Sequence, residues 1–326
     1  MSVAAQFSSA VLRINAAAEV DRLAAGIRNA LRDLRRRGVV VGLSGGIDSS
    51  VVAALAARAV GPQRVIGLML PESESSADSL VLAKQLADGL GLRTAVEDVG
   101  PTLEAAGCYR RRDEAVRTVV PEYGDGWRCK IVLPDLVSGS GYALYFVVVQ
   151  SPSGEERRVR LPLDAYLGVL AATNMKQRVR TLLEYTYADR HHFAVAGTPN
   201  RLEYDQGFFV KQGDGAADFK PIAHLYKSQV YQLAEYLGVP EAIRRRQPTT
   251  DTYPLEQSQE EFYFGLSLEQ TDLCLYARDH GVPPDLVGEA TSLTPEQVQR
   301  VFRMIDAKRE AARYLHMAPL LFDGNP

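Results

Sequence analysis

Residues 44–50 read Ser-Gly-Gly-Ile-Asp-Ser-Ser, a polar seam set between an apolar run and a segment of helical character. Glycines let a backbone approach an anion closely, and the free N–H groups and dipole of a following helix attract it. Ser44, Ser49 and Ser50 add hydroxyl donors, while Gly45, Gly46 and Ile47 form the bend itself. Asp48 would repel a phosphate unless a cation stood between them, so its presence implies Mg²⁺. The chemistry suggested is the grip of a nucleotide phosphate. The seam lacks the lysine of GxxxxGK[ST] and the spacing of GxGxxG, so it is neither a Walker A loop nor a dinucleotide fingerprint.

A second group of polar residues lies far downstream: Arg178 and Arg180, Thr198, Glu203, Lys211, Asp218, Lys227 and Thr249. Taken by type alone they are bland. Glu203 and Asp218 read as solvated loop acids, Lys227 as a surface lysine of an amphipathic helix, and the two arginines as helix partners of Glu184. No Ser-His-Asp or Cys-His arrangement offers a protein nucleophile. Cys108, Cys129 and Cys274 are too scattered for a zinc site or a disulfide scaffold.

The elements that must place these residues follow from periodicity. Val20, Leu23, Ile27, Leu31 and Leu34 recur at helical spacing across 16–37, and Gly38 stops that helix. Short apolar runs at 39–43, 64–70 and 93–99 read as strands, the first two buried on both faces. Helices are expected at 49–60, 76–90 and 164–188, a strand at 193–196 and a helix at 224–237. This alternation specifies βαβ units and a doubly wound parallel α/β sheet. Ligands of such sheets bind outside the carboxyl ends of the strands, where the seam lies. Between 100 and 162 the pattern breaks, and two β-like runs (142–150 and 155–161) joined by Ser151-Pro152-Ser153-Gly154 read as a hairpin in an insertion. The stretch 246–262 is rich in Pro, Thr and Gln and is expected to be an active-site loop or lid. The region 266–326 is expected to be helical, with Pro295 at a first helical position.

At 326 residues with 46% hydrophobic and 24% charged residues, the composition is that of a globular protein. A net charge of −3 gives no field that would draw nucleic acid. The N-terminus has no signal-peptide pattern, and no apolar run approaches the roughly 20 residues of a membrane helix. A cytoplasmic setting is expected.

SGGxDS resembles the PP-loop of the ATP pyrophosphatase superfamily. The stretch 196–237, AGTPNRLEYDQGFFVKQGDGAADFKPIAHLYKSQVYQLAEYL, resembles the NAD synthase family over nearly its whole length. Asn174 to Arg180, the segment 71–91, and Pro248-Thr249 with Asp251 are also similar to elements of that family. The resemblance implies an adenine nucleotide alpha hydrolase-like fold. It implies that Ser44, Gly45, Gly46, Ile47, Asp48 and Ser49 hold the ATP diphosphate, with Asp48 and Glu203 as Mg²⁺ ligands. Thr198, Lys227 and Thr249 would contact ATP, and Arg178, Lys211 and Asp218 the deamido-NAD. Asp48, Lys211 and Lys227 would carry the catalytic charge. The implied reaction is ATP-dependent amidation of deamido-NAD by ammonia through an acyl-adenylate, releasing AMP and pyrophosphate. Catalysis would rest on positioning and electrostatics.

The family's C-terminal His-Lys-Arg element is matched only by Lys308-Arg309 and His316 at altered spacing, and the insertion carries CYRRRDEA at 108–115. The synthase-like region begins almost at once, which leaves no room for a glutaminase domain. Ammonia is therefore expected free or from a separate glutamine amidase subunit. The resemblance implies a homodimer. Alternatives are an amide ligase of the same type on another carboxylate, and a non-catalytic adenine-nucleotide-binding protein. A tRNA thiolase or lysidine-type ligase would want reactive cysteines or a broad basic face.

Overall fold

A computed structural model describes residues 7–132, 145–247, 253–255 and 266–322. In chain order the first half contains α1 (Ala16–Asp33), β1 (Val39–Gly42), α2 (Ile47–Val60), β2 (Val65–Met69), α3 (Ala77–Leu90), β3 (Arg93–Val96), α4 (Gly100–Ala105) and α5 (Cys108–Arg117). Three strands follow, β4 (Arg128–Val132), β5 (Phe146–Gln150) and β6 (Glu156–Arg160). Then come α6 (Leu163–His191), β7 (Ala194–Val195), α7 (Arg201–Gln206), α8 (Lys227–Tyr236), α9 (Glu241–Arg245), α10 (Leu268–His280), α11 (Pro284–Thr291) and α12 (Pro295–His316).

The main sheet has the order β3-β2-β1-β7 and every pairing in it is parallel. Side chains alternate across it. Val39 and Val41 face Ile27 of α1, Leu55 of α2 and Val230 of α8. Val40, Ile66 and Leu68 face the opposite layer, with Leu103 of α4, Cys108 of α5 and Ala188 of α6. Both faces are covered, which is why these strands read as continuous apolar runs. The doubly wound α/β sheet expected from the sequence is the observed fold.

The chain outside this sheet forms two satellites. The antiparallel sheet β4-β5-β6 buries Cys129, Ile131, Val147 and Val149 against Val116 of α5 and Val169 of α6. The helices α10, α11 and α12 share a core of Leu273, Val287, Val298 and Ile305 with Leu12 and with Leu202 of α7.

Several boundaries differ from the sequence reading, each for a tertiary reason. α1 ends at Asp33, and Arg35 takes a positive φ of 54° before the chain enters β1. α2 starts at Ile47 rather than Ser49, because Ser49 and Ser50 turn their hydroxyls back to Gly46 O at 3.1 and 2.7 Å. α8 starts at Lys227 rather than near His224, where a carboxylate from α10 caps it. The segment read as an insertion also contains α4, α5 and β4, whose periodicity is too short to stand out from a single sequence. Positions 142–144 of the expected hairpin lie outside the described residues.

The far end of β1 meets a half-buried acidic pair, Glu184 and Asp214. A side-chain carbon on Gly42 would come 2.2 Å from the Glu184 Oε1 of α6, so a larger residue there would displace that carboxylate. Burial, and then the neighbouring Asp214 carboxylate, push Glu184 up to about 7, against the pull of Arg180. Burial likewise raises Asp214 to about 6, although Val210 N–H donates to it at 2.7 Å. Arg180 does not form the simple helix pair expected from spacing; its Nε donates to Leu70 O at 3.2 Å, at the end of β2.

Leu55 is fully buried in α2, so Leu55→Ala is expected to cost about 2–5 kcal/mol, read as a lowered urea midpoint. Glu184 binds its proton more tightly in the folded chain than in the unfolded one. Its stabilising proton is therefore fully in place below the ordinary value and lost as pH rises to about 7. The urea midpoint of Glu184→Gln is expected to fall less than that of the parent between about pH 5 and about pH 7.5. Equal falls would show that Glu184 titrates as an ordinary carboxylate.

Candidate functional site

From β1 the chain builds the sheet outward through β2 and β3, then returns to lay β7 on the other side of β1. The direction of winding reverses between β1 and β7, and a crevice opens at the carboxyl ends of those two strands. The loops that leave them, 43–46 and 196–200, therefore stand side by side.

The first loop is the Ser-Gly-Gly seam. Leu43 N–H still donates to Leu68 O of β2 at 2.8 Å, and the turn follows at once. Gly45 has a φ of 74°, and a side-chain carbon there would lie 2.3 Å from Ser79 O of α3. The turn is thus held against the first turn of α3 by a contact only glycine permits. Ser44 Oγ and Ser49 Oγ lie 3.2 Å apart, Ser44 Oγ accepts from Gly46 N–H at 3.3 Å, and Ser44 is exposed. Gly46 is the N-cap of α2, while Ile47 anchors the turn in the core. The opening of α2 offers backbone N–H groups and the exposed Ser44 hydroxyl, suited to phosphate oxygens, while Ser49 and Ser50 turn their hydroxyls to Gly46 O.

The helices that follow the second loop supply the charges. Thr198 is half-buried in that loop. Asn200 caps α7 reciprocally with Glu203, accepting from Glu203 N–H at 3.2 Å while Glu203 Oε2 accepts from Asn200 N–H at 3.1 Å. The Asn200 amide then reaches across to Asp48 Oδ1 at 3.1 Å. Lys227, the first residue of α8, donates to the other oxygen of Asp48. Burial would pull this ammonium, 1% exposed, downward. The Asp48 and Glu203 carboxylates outweigh burial and hold it above its ordinary value. Asp272 of α10 fixes α8 in turn, accepting from Lys227 N–H at 3.3 Å and Ser228 N–H at 2.7 Å. Asp272 is itself fully buried, and burial pushes it up to about 6 against those two donors.

Asp48, Glu203 and Lys227 thus meet at one point, with Ser44, Ser49 and Gly46 beside them. Among the described residues no group of three or more His, Cys, Asp and Glu gathers into a metal cage. Asp48 and Glu203 are donors of the kind Mg²⁺ takes, one or two carboxylates with phosphate oxygens and water completing its shell, and here the Lys227 ammonium holds Asp48 Oδ2.

Arg178 and Lys211 form a separate pair. Arg178 Nη2 and Nε donate to Lys211 O at 3.3 and 3.4 Å. The Lys211 ammonium donates to Tyr314 O at 2.8 Å and lies 4.2 Å from the Tyr314 ring, at the end of α12. His316 packs edge-on to Tyr204 and Phe209, at 4.6 and 5.1 Å. Arg309 bonds Asp205 at 2.8 Å and Asp279 at 2.7 Å, so α12 is tied to α7 and α10. Asp218 stands apart, its Oδ2 accepting from Val195 N–H of β7 at 2.8 Å. Thr249 lies outside the described residues.

Sequence reasoning missed Asn200 and Asp272. Asn200 was legible as the start of an Asn-x-x-Glu capping box. Asp272 sits within an ordinary helical stretch and left no local signal.

The NAD synthase family model matches residues 19–119 and 163–313. An NH(3)-dependent NAD(+) synthetase of Rhizobium meliloti (strain 1021) is 58% identical over 315 residues, spanning 97% of this chain and 94% of the relative. One of Thermotoga maritima is 34% identical over 299 residues, spanning 91% of this chain and 96% of the relative. Among solved structures, an NH3-dependent NAD synthetase from Campylobacter jejuni in complex with the nitrate ion superposes with a TM-score of 0.63 at 21% identity, over 95% of this chain and 100% of that one, a likeness of fold. The interval between the two matched parts, 120–162, contains β4, β5 and β6. With the synthase model matched on both sides of that interval and a relative 58% identical along almost the whole chain, the chain belongs to the NAD synthase family.

Proposed function

We propose that the chain amidates deamido-NAD to NAD with ATP and ammonia, as a C–N bond-forming ligase that releases AMP and pyrophosphate. The observation that carries this reading is the meeting of Asp48, Asn200, Glu203 and Lys227 at the crevice between β1 and β7, beside the donor-rich start of α2. The names of the relatives above support the reaction class and ammonia as the nitrogen donor.

In this reading Ser44, Gly45, Gly46, Ile47 and Ser49 grip the ATP diphosphate through backbone N–H and hydroxyl donors, and Thr198, Lys227 and Thr249 complete the ATP contacts. Asp48 and Glu203 hold Mg²⁺, which when bound screens the phosphates and spreads the charge of the departing pyrophosphate. Lys227 adds a fixed cation that burial keeps from bulk water, where its field is least screened. Arg178, Lys211 and Asp218 receive the deamido-NAD, whose nicotinate carboxylate attacks the α-phosphorus of ATP. Ammonia then displaces AMP from the acyl-adenylate. The work of the side chains is orientation and charge, with no covalent intermediate on the protein. The chain acts as one synthase unit with an insertion at about 100–162 and a helical part at about 266–326. It works as a cytoplasmic homodimer fed by free ammonia or by a separate glutamine amidase.

An assay with Mg²⁺-ATP, ammonium and deamido-NAD is expected to yield AMP, pyrophosphate and NAD in equal amounts. AMP formed regardless of deamido-NAD would assign another acceptor, and no AMP would remove the ligase reading. Asp48→Asn is expected to lower turnover per folded molecule about 10²–10³-fold. It also leaves Lys227 facing Glu203 alone, so a stability loss of up to about 3–5 kcal/mol accompanies it. Near-parental turnover would remove Asp48 from the metal site. Lys211→Ala is expected to raise KM for deamido-NAD about tenfold while KM for ATP holds within about twofold. Equal rises would dissociate Lys211 from the acceptor.

A further inference from the structure

The loop that follows β2, residues 71–76, is held by an ionic clamp that the reaction as described does not use. Lys176 of α6 is 1% exposed and donates to Glu72 Oε1 at 2.9 Å and to Glu74 Oε2 at 2.5 Å. Arg112 of α5, also buried, donates to Glu74 Oε1 at 2.5 Å. Tyr109 of α5 donates to Glu72 Oε2 at 2.6 Å. With Asp113, which also pairs with Arg112 at 2.8 Å, two cations and three carboxylates therefore close on one another in a largely buried cluster, and Arg180 bonds the same strand end through Leu70 O. Charges buried in this way are costly unless each is matched, so the loop has one permitted position.

That position bears on the crevice. β2 lies beside β1, so loop 71–76 and the Ser-Gly-Gly turn leave the same edge from adjacent strands. The loop ends at Ser76, the N-cap of α3, and Ser79 in the first turn of α3 is the residue against which Gly45 packs. Ser79 Oγ accepts from Arg246 Nη2 at 3.0 Å, just ahead of the segment that contains Thr249. A shift of the loop would move α3, and with it the backbone donors of residues 44–46.

We infer that Lys176 and Arg112 are positioning residues for the nucleotide, which clamp Glu72 and Glu74 so that α3 holds the Ser-Gly-Gly turn in its phosphate-binding shape. This role rests on the reading that ATP binds at that turn. It gives α5, which lies outside the main sheet and bears the CYRRRDEA stretch, a part in ATP binding.

The test is Arg112→Met in the full-length chain, with thermal melting to establish folding. Steady-state kinetics and calorimetric titration with Mg²⁺-ATP give the readout. KM and Kd for ATP are expected to rise about tenfold or more, with KM for deamido-NAD and for ammonium within about twofold. Arg112→Lys, which keeps the charge, should recover part of the loss. A purely structural residue would lower kcat or the melting temperature with unchanged ATP constants, or raise all three KM values together. Either result overturns the inference. If Arg112→Met does not fold, Tyr109→Phe, which removes only the bond to Glu72, is expected to raise Kd for ATP about threefold. No change there would overturn the inference as well. A parent chain that binds ATP without forming NAD would remove the proposed reaction while the Kd comparison still decides the clamp. A parent that binds no ATP would remove both.

Discussion

An ammonium group at 1% exposure stays charged only if carboxylates face it, and the whole site is arranged around that requirement at Lys227. Asp48 and Glu203 meet it, and they come from the first turns of helices entered by loops after two different strands. The parallel pairing of β1 and β7 sets those loops side by side, and the capping box at Asn200 and Glu203 fixes the side-chain geometry of one of them. Removing any member leaves a buried charge without its match, which is why the sheet order, the cap and the ion pair behave as one arrangement rather than as separate features.

The parts outside the main sheet serve the same point from a distance. Asp272 lies in α10, in the satellite core of the C-terminal helices, yet it sets where α8 begins and so where Lys227 starts its reach. α12 meets Lys211 through Tyr314, and its Arg309 joins α7 to α10 through Asp205 and Asp279. On the opposite side α5 and α6 lock the loop after β2. Each of the crevice walls is thus backed by an ionic contact from another layer.

The sequence made the central strands and their helices legible because a strand buried on both faces must be a short apolar run broken by glycine, as at 39–43. The seam at 44–50 was legible for a local reason too, since two glycines and several hydroxyl residues gather at one strand-to-helix turn, more than a cap alone requires. What stayed hidden is non-local. Lys227 looks like a surface lysine because its partner Asp48 lies 179 positions away, and Lys176 is separated from Glu72 by 104. Burial of a charge is decided by such distant partners, and periodicity within a helix does not encode them. The short α5 and β4 escaped for a different reason, since neither is long enough for its pattern to separate from its neighbours. The resemblance to a known family reached the residues of the crevice but not Asn200, Asp272 or the clamp on Glu72 and Glu74.

The cap that Asp272 places on α8 also orders events in time. Asp48 is near the beginning of the chain, Lys227 far beyond it, and Asp272 another 45 residues on. A ribosome delivers the Ser-Gly-Gly turn early, but the groups that fix the start of α8 arrive only when α10 has emerged. Until then the carboxylates of the crevice lack a seated cation, and the nascent chain carries an unfinished site. Completion of the C-terminal helices therefore decides when α8 receives its cap, and a chain cut short before α10 would keep the Ser-Gly-Gly turn without the Asp272 contacts that fix Lys227.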